Sequence, residues 1–485
     1  MGSFLIILTA AFGLLASARG DALPPDTYSA EMFKKFVDAI NTGDKSRWEE
    51  FVLLFPNSRE NPETFERRVK LLQIVYEELG GVKLDSVLES DEYHIAVRVR
   101  GLNPIEDMEY ARIMMEFDPE PPHGWLRVGL MPADDPNEVI PQFDNDEALA
   151  SYLDRYLDSL ASADKFSGTV LIARGDRIIF KDACGEANKR YHIPNRIDTK
   201  LNLGSMNKMF TGTAVVQLAE QGKLRFEDTI DKYLPDYPNQ EAASKITIHH
   251  LLTHTSGLGD YWEDLYNSHW WEVKTVKQLA DLIVDKPLEF EPGEKFRYSN
   301  SGPVILGLII EKVTGMDYYE YIREYVCKPA GMINTDSYEM DHPVENLAFG
   351  YTKFNYDGEM TEEWYNNLFM HFGKGSPAGG GYSTVEDLFR FSRALTEGKL
   401  VGEAYFDTLT TGKVEMGPGM KYAYLFGDED LGEERKIGHN GGAPGINAVL
   451  DIYLDSGYTV AVLSNYDRAA MRVSEHIMKI LMQKN

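Results

Sequence analysis

Between Arg435 and Tyr466 three runs of alternating, β-branched character follow one another, "RKIGHNG", "INAVLDIYL" and "YTVAVLSNY", and an amphipathic stretch, "RAAMRVSEHIMKILMQ", comes after them. Period-two alternation of this kind reads as strand, and period 3.6 as helix. The other strand-like pair in this half of the chain lies far upstream, in "FSGTVLIARGDRIIFKDACGEA", where Gly175-Asp176 marks a tight hairpin turn. The region from about Ser205 to Gly373 that separates the two groups is mainly helical and loop-rich. Two early strands, a helical insertion, then three strands and a helix predict an α+β fold: an antiparallel five-stranded sheet flanked by helices, with a helical lobe inserted.

A chain of 485 residues is too long for one ordinary core. Upstream, "EMFKKFVDAI" and "TFERRVKLLQIVYEEL" carry helical patterns, and four strand-like runs follow, "VKLDSVLES", "YHIAVRVRGL", "EYARIMMEFD" and "GWLRVGLMP". Helices followed by a strand meander predict a small α+β domain over residues 27–132. Its element order is similar to the nuclear-transport-factor-like cone fold, although no motif marks it. The acidic, proline-containing "PADDPNEVIPQFDND" reads as a linker over residues 133–145. The larger domain then spans 146–485 and opens with the amphipathic helix "DEALASYLDRYLDSLA".

The first residues, "FLIILTAAFGLLASARG", form an apolar run followed by small residues, the pattern of a secretory signal peptide over residues 1–20. The run falls short of the about 20 apolar residues that span a bilayer, and no later run approaches that length. Export to the periplasm or the outside is therefore expected, with no membrane span. A net charge of −28 argues against nucleic acid or an anionic membrane as partner. Two cysteines, Cys184 and Cys327, could pair in an exported protein, but two buried thiols are the default for one in a strand-like segment and one after a helix. Oligomeric state has no signature in the sequence.

The loop "GHNGGAPG" poses the chemical question. Glycine-rich turns can cradle a phosphate or aim an amide at a developing oxyanion. The phosphate reading needs a helix after the loop, whereas "NAVLDIYL" reads as another strand. A nucleophile is then required. There is no G-x-S-x-G and no H-E-x-x-H. In "LGSMNKMFTGTAVVQLAEQGKL", however, Ser205 opens a helix running to Gly222, with Lys208 on the same face. A serine hydroxyl becomes a nucleophile when a base takes its proton, and a partly desolvated lysine can do so. The helix N-terminus adds a positive field. Alone, S-x-x-K means little: Ser162 and Lys165 spell it again ahead of a strand, and Tyr365-Asn366-Asn367 repeats the Y-x-N of Tyr298-Ser299-Asn300.

Taken in order, S-M-N-K, "LLTHTSGL" (Leu251–Leu258), "EPGEKFRYSNSG" (Glu291–Gly302), "GGGYSTVEDLFRF" and "GHNGGAPG" resemble the β-lactamase-related serine hydrolases, a family that includes class C β-lactamases, D,D-peptidases, D-aminopeptidases and some esterases. The resemblance covers about residues 146–485. It implies Ser205 as the acylated nucleophile, Lys208 in its proton network, and Tyr298 as a base or a proton relay. It further implies Asn300 on the substrate's amide side, and His439, Asn440 and Gly441 on the strand lining the site. The amides of Gly442 and Ser205 would form the oxyanion hole. Many members carry lysine where this chain has His439, and an ammonium suits a substrate carboxylate better than a neutral imidazole does. Peptide or amide hydrolysis of the D-amino-acid type, or ester hydrolysis, is favoured over β-lactam hydrolysis, with no metal or organic cofactor. The alternatives are a carboxylesterase, a β-lactamase, and a non-catalytic penicillin-binding-like sensory protein.

Other candidates have simpler readings. His249, His250 and His254 have a spacing that could hold zinc, but no further ligand completes a cluster except distant Asp260. Tyr261, Trp262, Trp270 and Trp271 wall a substrate pocket or fill the core of the helical lobe. Ser383 with Glu386 reads as a capping box, and "GDEDLGEER" as a solvated hairpin.

Overall fold

The computed structural model describes residues 27–483 apart from 105–108, 134, 268–269, 357–359, 371 and 418. The expected signal peptide lies outside the described residues. Two compact units divide the chain, one of them Pro141–Asn485, the other taking in the described residues up to Ile140. The division falls within the stretch read as a linker.

The smaller unit places four helices before four strands: α1 (Tyr28–Ile40), α2 (Lys45–Val52), α3 (Pro56–Arg59) and α4 (Pro62–Leu79), then β1 (Val82–Ser90), β2 (His94–Gly101), β3 (Tyr110–Phe117) and β4 (Trp125–Pro132). The strands form an antiparallel meander in sequence order. Asn61 caps α4 with Pro62 in its first turn, and Gly80 ends it in the left-handed region. Ile95, Val97 and Val99 alternate along β2, Ile113, Met115 and Phe117 along β3, and they share one core with Phe33, Phe36, Phe51 and Trp125.

The larger unit begins with α5 (Asp146–Ser162), β5 (Gly168–Arg174) and β6 (Arg177–Cys184). The inserted part contributes α6 (Asn207–Glu220), α7 (Ser301–Thr314) and α8 (Val385–Thr396). There follow β7 (Val414–Gly417), β8 (Met420–Tyr422), β9 (Gly427–Asp430), β10 (Arg435–Ala443), β11 (Ile446–Tyr453), β12 (Tyr458–Ser464) and α9 (Ala469–Met482). The sheet runs β7-β8-β9-β10-β11-β12-β5-β6, antiparallel throughout. The five strands expected from sequence are contiguous in it, and β7 to β9 extend it beyond β10. Four successive residues of β5, Val170 to Ala173, are fully buried, so both faces of the sheet are covered there. Helix α5 packs on β6, α8 on β5 and β12, and α9 on β11 and β12.

Three sequence readings change in detail. The acidic run is a hairpin, β9 to β10, but not a fully solvated one: buried Glu429 pairs with Lys436 at 2.8 Å, and buried Glu434 accepts from the amides of Asp455 and Ser456. Ser383 is not the cap of α8. It lies in a two-residue strand pair with Leu201, so the capping role passes to Thr384, which accepts from Asp387 N–H. Cys184 and Cys327 are free thiols, as expected, but only Cys327 is buried; Cys184 is half-buried.

Candidate active site

Ser205 sits in a single 3-10 turn, Gly204–Met206, that leads into α6. Gly204 reaches that turn in the left-handed region (φ +50°), where a side chain is disfavoured. Asn207, at the start of α6, ties the helix to neighbouring backbone: its Oδ1 accepts from Gly381 N–H and its Nδ2 donates to the carbonyl of Ser376. One turn along, Lys208 is 0% exposed. Its Nζ donates to Ser205 Oγ at 3.1 Å, Asn300 Oδ1 at 2.7 Å and the Ala378 carbonyl at 2.5 Å, and lies 4.8 Å from the Tyr298 ring centre. Burial pulls its pKa down to about 7, against a partial opposing pull from the negative charge of Asp260. A lysine so placed sheds its proton near neutrality, and the freed lone pair can then receive the hydroxyl proton of Ser205.

Tyr298, Ser299 and Asn300 lie just ahead of α7. Tyr298 lies close enough to Ser205 for that side chain to favour its ionised form slightly. Burial, together with the charge of Asp260, pushes the Tyr298 pKa upward, so it presents a protonated phenol at neutral pH. Asn300 is fixed in one orientation: Oδ1 toward Lys208, and Nδ2 donating to Asp260 Oδ2 at 3.0 Å.

Strand β10 supplies the opposite wall. His439 pairs in register with Leu450, Gly441 with Ala448 and Gly442 with Asn447. A Cβ on Gly441 would lie 1.9 Å from the Leu203 carbonyl and 2.9 Å from Ser205 N, and one on Gly204 would lie 2.9 Å from Gly442 N. Glycine is needed here because two backbones touch, and the contact makes the amides of Ser205 and Gly442 neighbours. The half-buried His439 ring has its centre 6.5 Å from that of Tyr298, and Tyr422 Oη lies 3.0 Å from its Nε2. Burial, with Lys208 nearby, pushes its pKa down to about 3, so the imidazole is neutral.

Ser205, Lys208, Tyr298, Asn300, His439, Gly441 and Gly442 thus meet in one place. The competing matches do not. Ser162 ends α5 instead of opening a helix, and Asn367 of the second Y-x-N bridges the Gly350 amide and the Pro444 carbonyl. The three histidines face different partners: His249 meets Tyr424, His250 completes the capping box of Thr247, and His254 meets Tyr422. Tyr261 is buried in the core while Trp271 is 51% exposed. Sequence reading named Asp260 only as a distant metal-ligand candidate and did not name Tyr422. The first closes the segment "HTSGLGD", which offered a usable signal; the second sits in a three-residue strand with none.

A family model described as Beta-lactamase matches residues 153–481. The chain belongs to the beta-lactamase family. It is similar to a penicillin-binding protein of Bacillus subtilis (strain 168), 31% identical over 348 residues, which cover 67% of this chain and 75% of that protein. Among solved structures it resembles the penicillin binding protein from Bacillus halodurans, 32% identical with a TM-score of 0.61 over 67% of this chain and 98% of that one. It also resembles a D-stereospecific amidohydrolase from Streptomyces sp., 26% identical with a TM-score of 0.58 over 67% and 97%. The family member described here is a serine hydrolase of the β-lactamase-related group. Among the described residues no helix is long and apolar enough to cross a membrane.

Proposed function

We propose that the protein is an exported hydrolase that cleaves amide bonds of D-amino-acid-type peptides, or esters, through an acyl-enzyme on Ser205. The observation that carries this reading is the fully buried Lys208, whose amine has a pKa of about 7 and lies 3.1 Å from Ser205 Oγ. In its neutral form Lys208 takes the Ser205 proton as Oγ attacks the carbonyl carbon. The carbonyl oxygen, now anionic, is received by the amides of Ser205 and Gly442. Tyr298, a phenol beside Ser205, relays a proton to the leaving amine or alcohol. Water then attacks the ester at Ser205 by the reverse proton path and releases the acid. His439, neutral where an ammonium would hold an anion, favours substrates without a carboxylate beside the scissile bond. The amidohydrolase similarity supports the amide reading. Export rests on the apolar segment at residues 4–20.

Labelling with a fluorophosphonate, followed by mapping of the modified peptide, tests the nucleophile: Ser205 should carry the label. Ser205→Ala should abolish p-nitrophenyl acetate hydrolysis with stability unchanged to within about 1 kcal/mol. Full activity in that variant refutes the assignment. Cell fractionation tests export.

A further inference from the structure

His439 is where this chain departs from family members that carry lysine, and its neighbours decide what the ring can offer. The hydrogen-bond chain that reaches this ring begins at His254. The backbone N–H of Ser299 donates to His254 Nδ1 at 3.3 Å. A backbone amide is a donor only, so Nδ1 is an acceptor and carries no proton. His254 is 1% exposed, and burial beside Lys208 keeps it neutral. Its single proton is therefore on Nε2, which lies 3.0 Å from Tyr422 Oη. Having accepted that bond, Tyr422 directs its own hydroxyl proton to His439 Nε2, also at 3.0 Å. His439 Nε2 is then an acceptor, its proton sits on Nδ1, and Nδ1–H donates to the Asn440 carbonyl. Each link is fixed by the one before it, back to the amide of Ser299.

We propose that Tyr422 and His254 are specificity-determining positioning residues: the chain from Ser299 N–H through His254, Tyr422 and His439 to the Asn440 carbonyl uses both nitrogens of His439. The ring keeps neither a free N–H nor a positive charge with which to hold a substrate carboxylate. The substrate class that fits carries a neutral group, a further amide or an ester, where a free carboxylate would otherwise lie. This rests on Ser205 as the nucleophile of the same cleft. The groups facing the two rings are Lys208, whose charge opposes protonation of either, and the phenols of Tyr298 and Tyr422, whose ring centres lie 4.3 and 4.8 Å from that of His254. Asp260, the carboxylate that acts on Lys208, is engaged with Asn300.

Two measurements on the full chain test the lock. Nitrogen-15 spectra of the histidines should show His254 protonated at Nε2 and His439 at Nδ1, with His439 not titrating between about pH 5 and 8. A proton on Nε2 of His439, or titration within that range, overturns the proposal without any substrate being involved. Tyr422→Phe keeps the ring between His254 and Phe296 and removes the hydroxyl, freeing His439 Nε2. In that variant the freed Nε2 can carry the ring proton and donate it to a carboxylate, so the kcat/KM ratio of a free-carboxylate D-alanyl peptide to its C-terminal amide should rise at least about threefold over wild type at the same pH. A ratio unchanged from wild type refutes the proposal. If Tyr422→Phe does not fold, the wild-type spectrum still decides. Failure of Ser205 labelling would instead refute the acyl-enzyme reading and leave the tautomer result standing.

Discussion

Lys208 is surrounded by neutral acceptors, and the one nearby charge that opposes its burial, Asp260, is engaged with Asn300. Because the reaction needs the neutral amine, kcat/KM should rise as pH increases through about 7, the value to which burial brings this lysine. Asp260 raises the lysine's proton affinity, so Asp260→Asn should move that acid limb to lower pH; an unmoved limb would show that Asp260 does not act on Lys208. Lys208→Arg keeps a charge that cannot be shed, and acylation should fall by about 100-fold or more in single-turnover measurements. The same burial has a thermodynamic side. The folded-state pKa of Lys208 lies below the ordinary lysine value of about 10.4, so between about 7 and 10.4 the unfolded chain binds more protons and stability rises with pH. The penalty is complete below about pH 7. Lys208→Met should therefore gain stability over wild type by about 1–3 kcal/mol more at pH 6 than at pH 10.5, measured by urea unfolding.

Among the elements, β10 and the turn before α6 depend on each other through backbone contact. Gly441→Ala would drive a methyl group to 1.9 Å from the Leu203 carbonyl, and no rotamer can relieve a clash between two main chains. The strand must move away from Ser205 N, so kcat should fall by about 100-fold, with about 1–3 kcal/mol of stability lost. Gly442→Ala is the control: its Cβ would meet nothing nearer than 3.9 Å, and the fold should keep its stability to within about 0.5 kcal/mol in the same unfolding assay. Long, strongly alternating segments were legible in the sequence, and β10, β11, β12, β5 and β6 were all read from it. Strands β7 and β8 were not, because "VEMG" and "MKY" are too short to alternate and are held by pairing, and β9 was read only as an arm of a solvated hairpin. The site was legible where a residue type carries its own chemistry, as for Ser205, Lys208 and His439. It was not legible where a role comes only from long-range placement. Tyr422 has no local signal and gains its role from histidines 168 and 17 positions away, while Ser383 lost its capping role to a strand pair that brings in Leu201.

On the scale of the whole molecule, every contact named for the site lies within Pro141–Asn485. A chain of residues 141–485 should fold with its own cooperative transition and hydrolyse p-nitrophenyl acetate within about twofold of the full protein's kcat/KM. A cooperative melt without activity would show that the smaller unit contributes to the site. The seam between β12 and β5 has a consequence for biosynthesis. Ser464 donates to the Ser167 carbonyl across 297 positions of sequence, so the middle of the sheet closes only when its last strand has been made. The smaller unit, built from neighbours in sequence, can form while the chain is still growing, but the sheet of the larger one cannot close until translation is almost complete. Such a chain stays threadable for most of its synthesis, and any premature stop before Tyr458 leaves the early strands without the partner that joins them to the rest of the sheet.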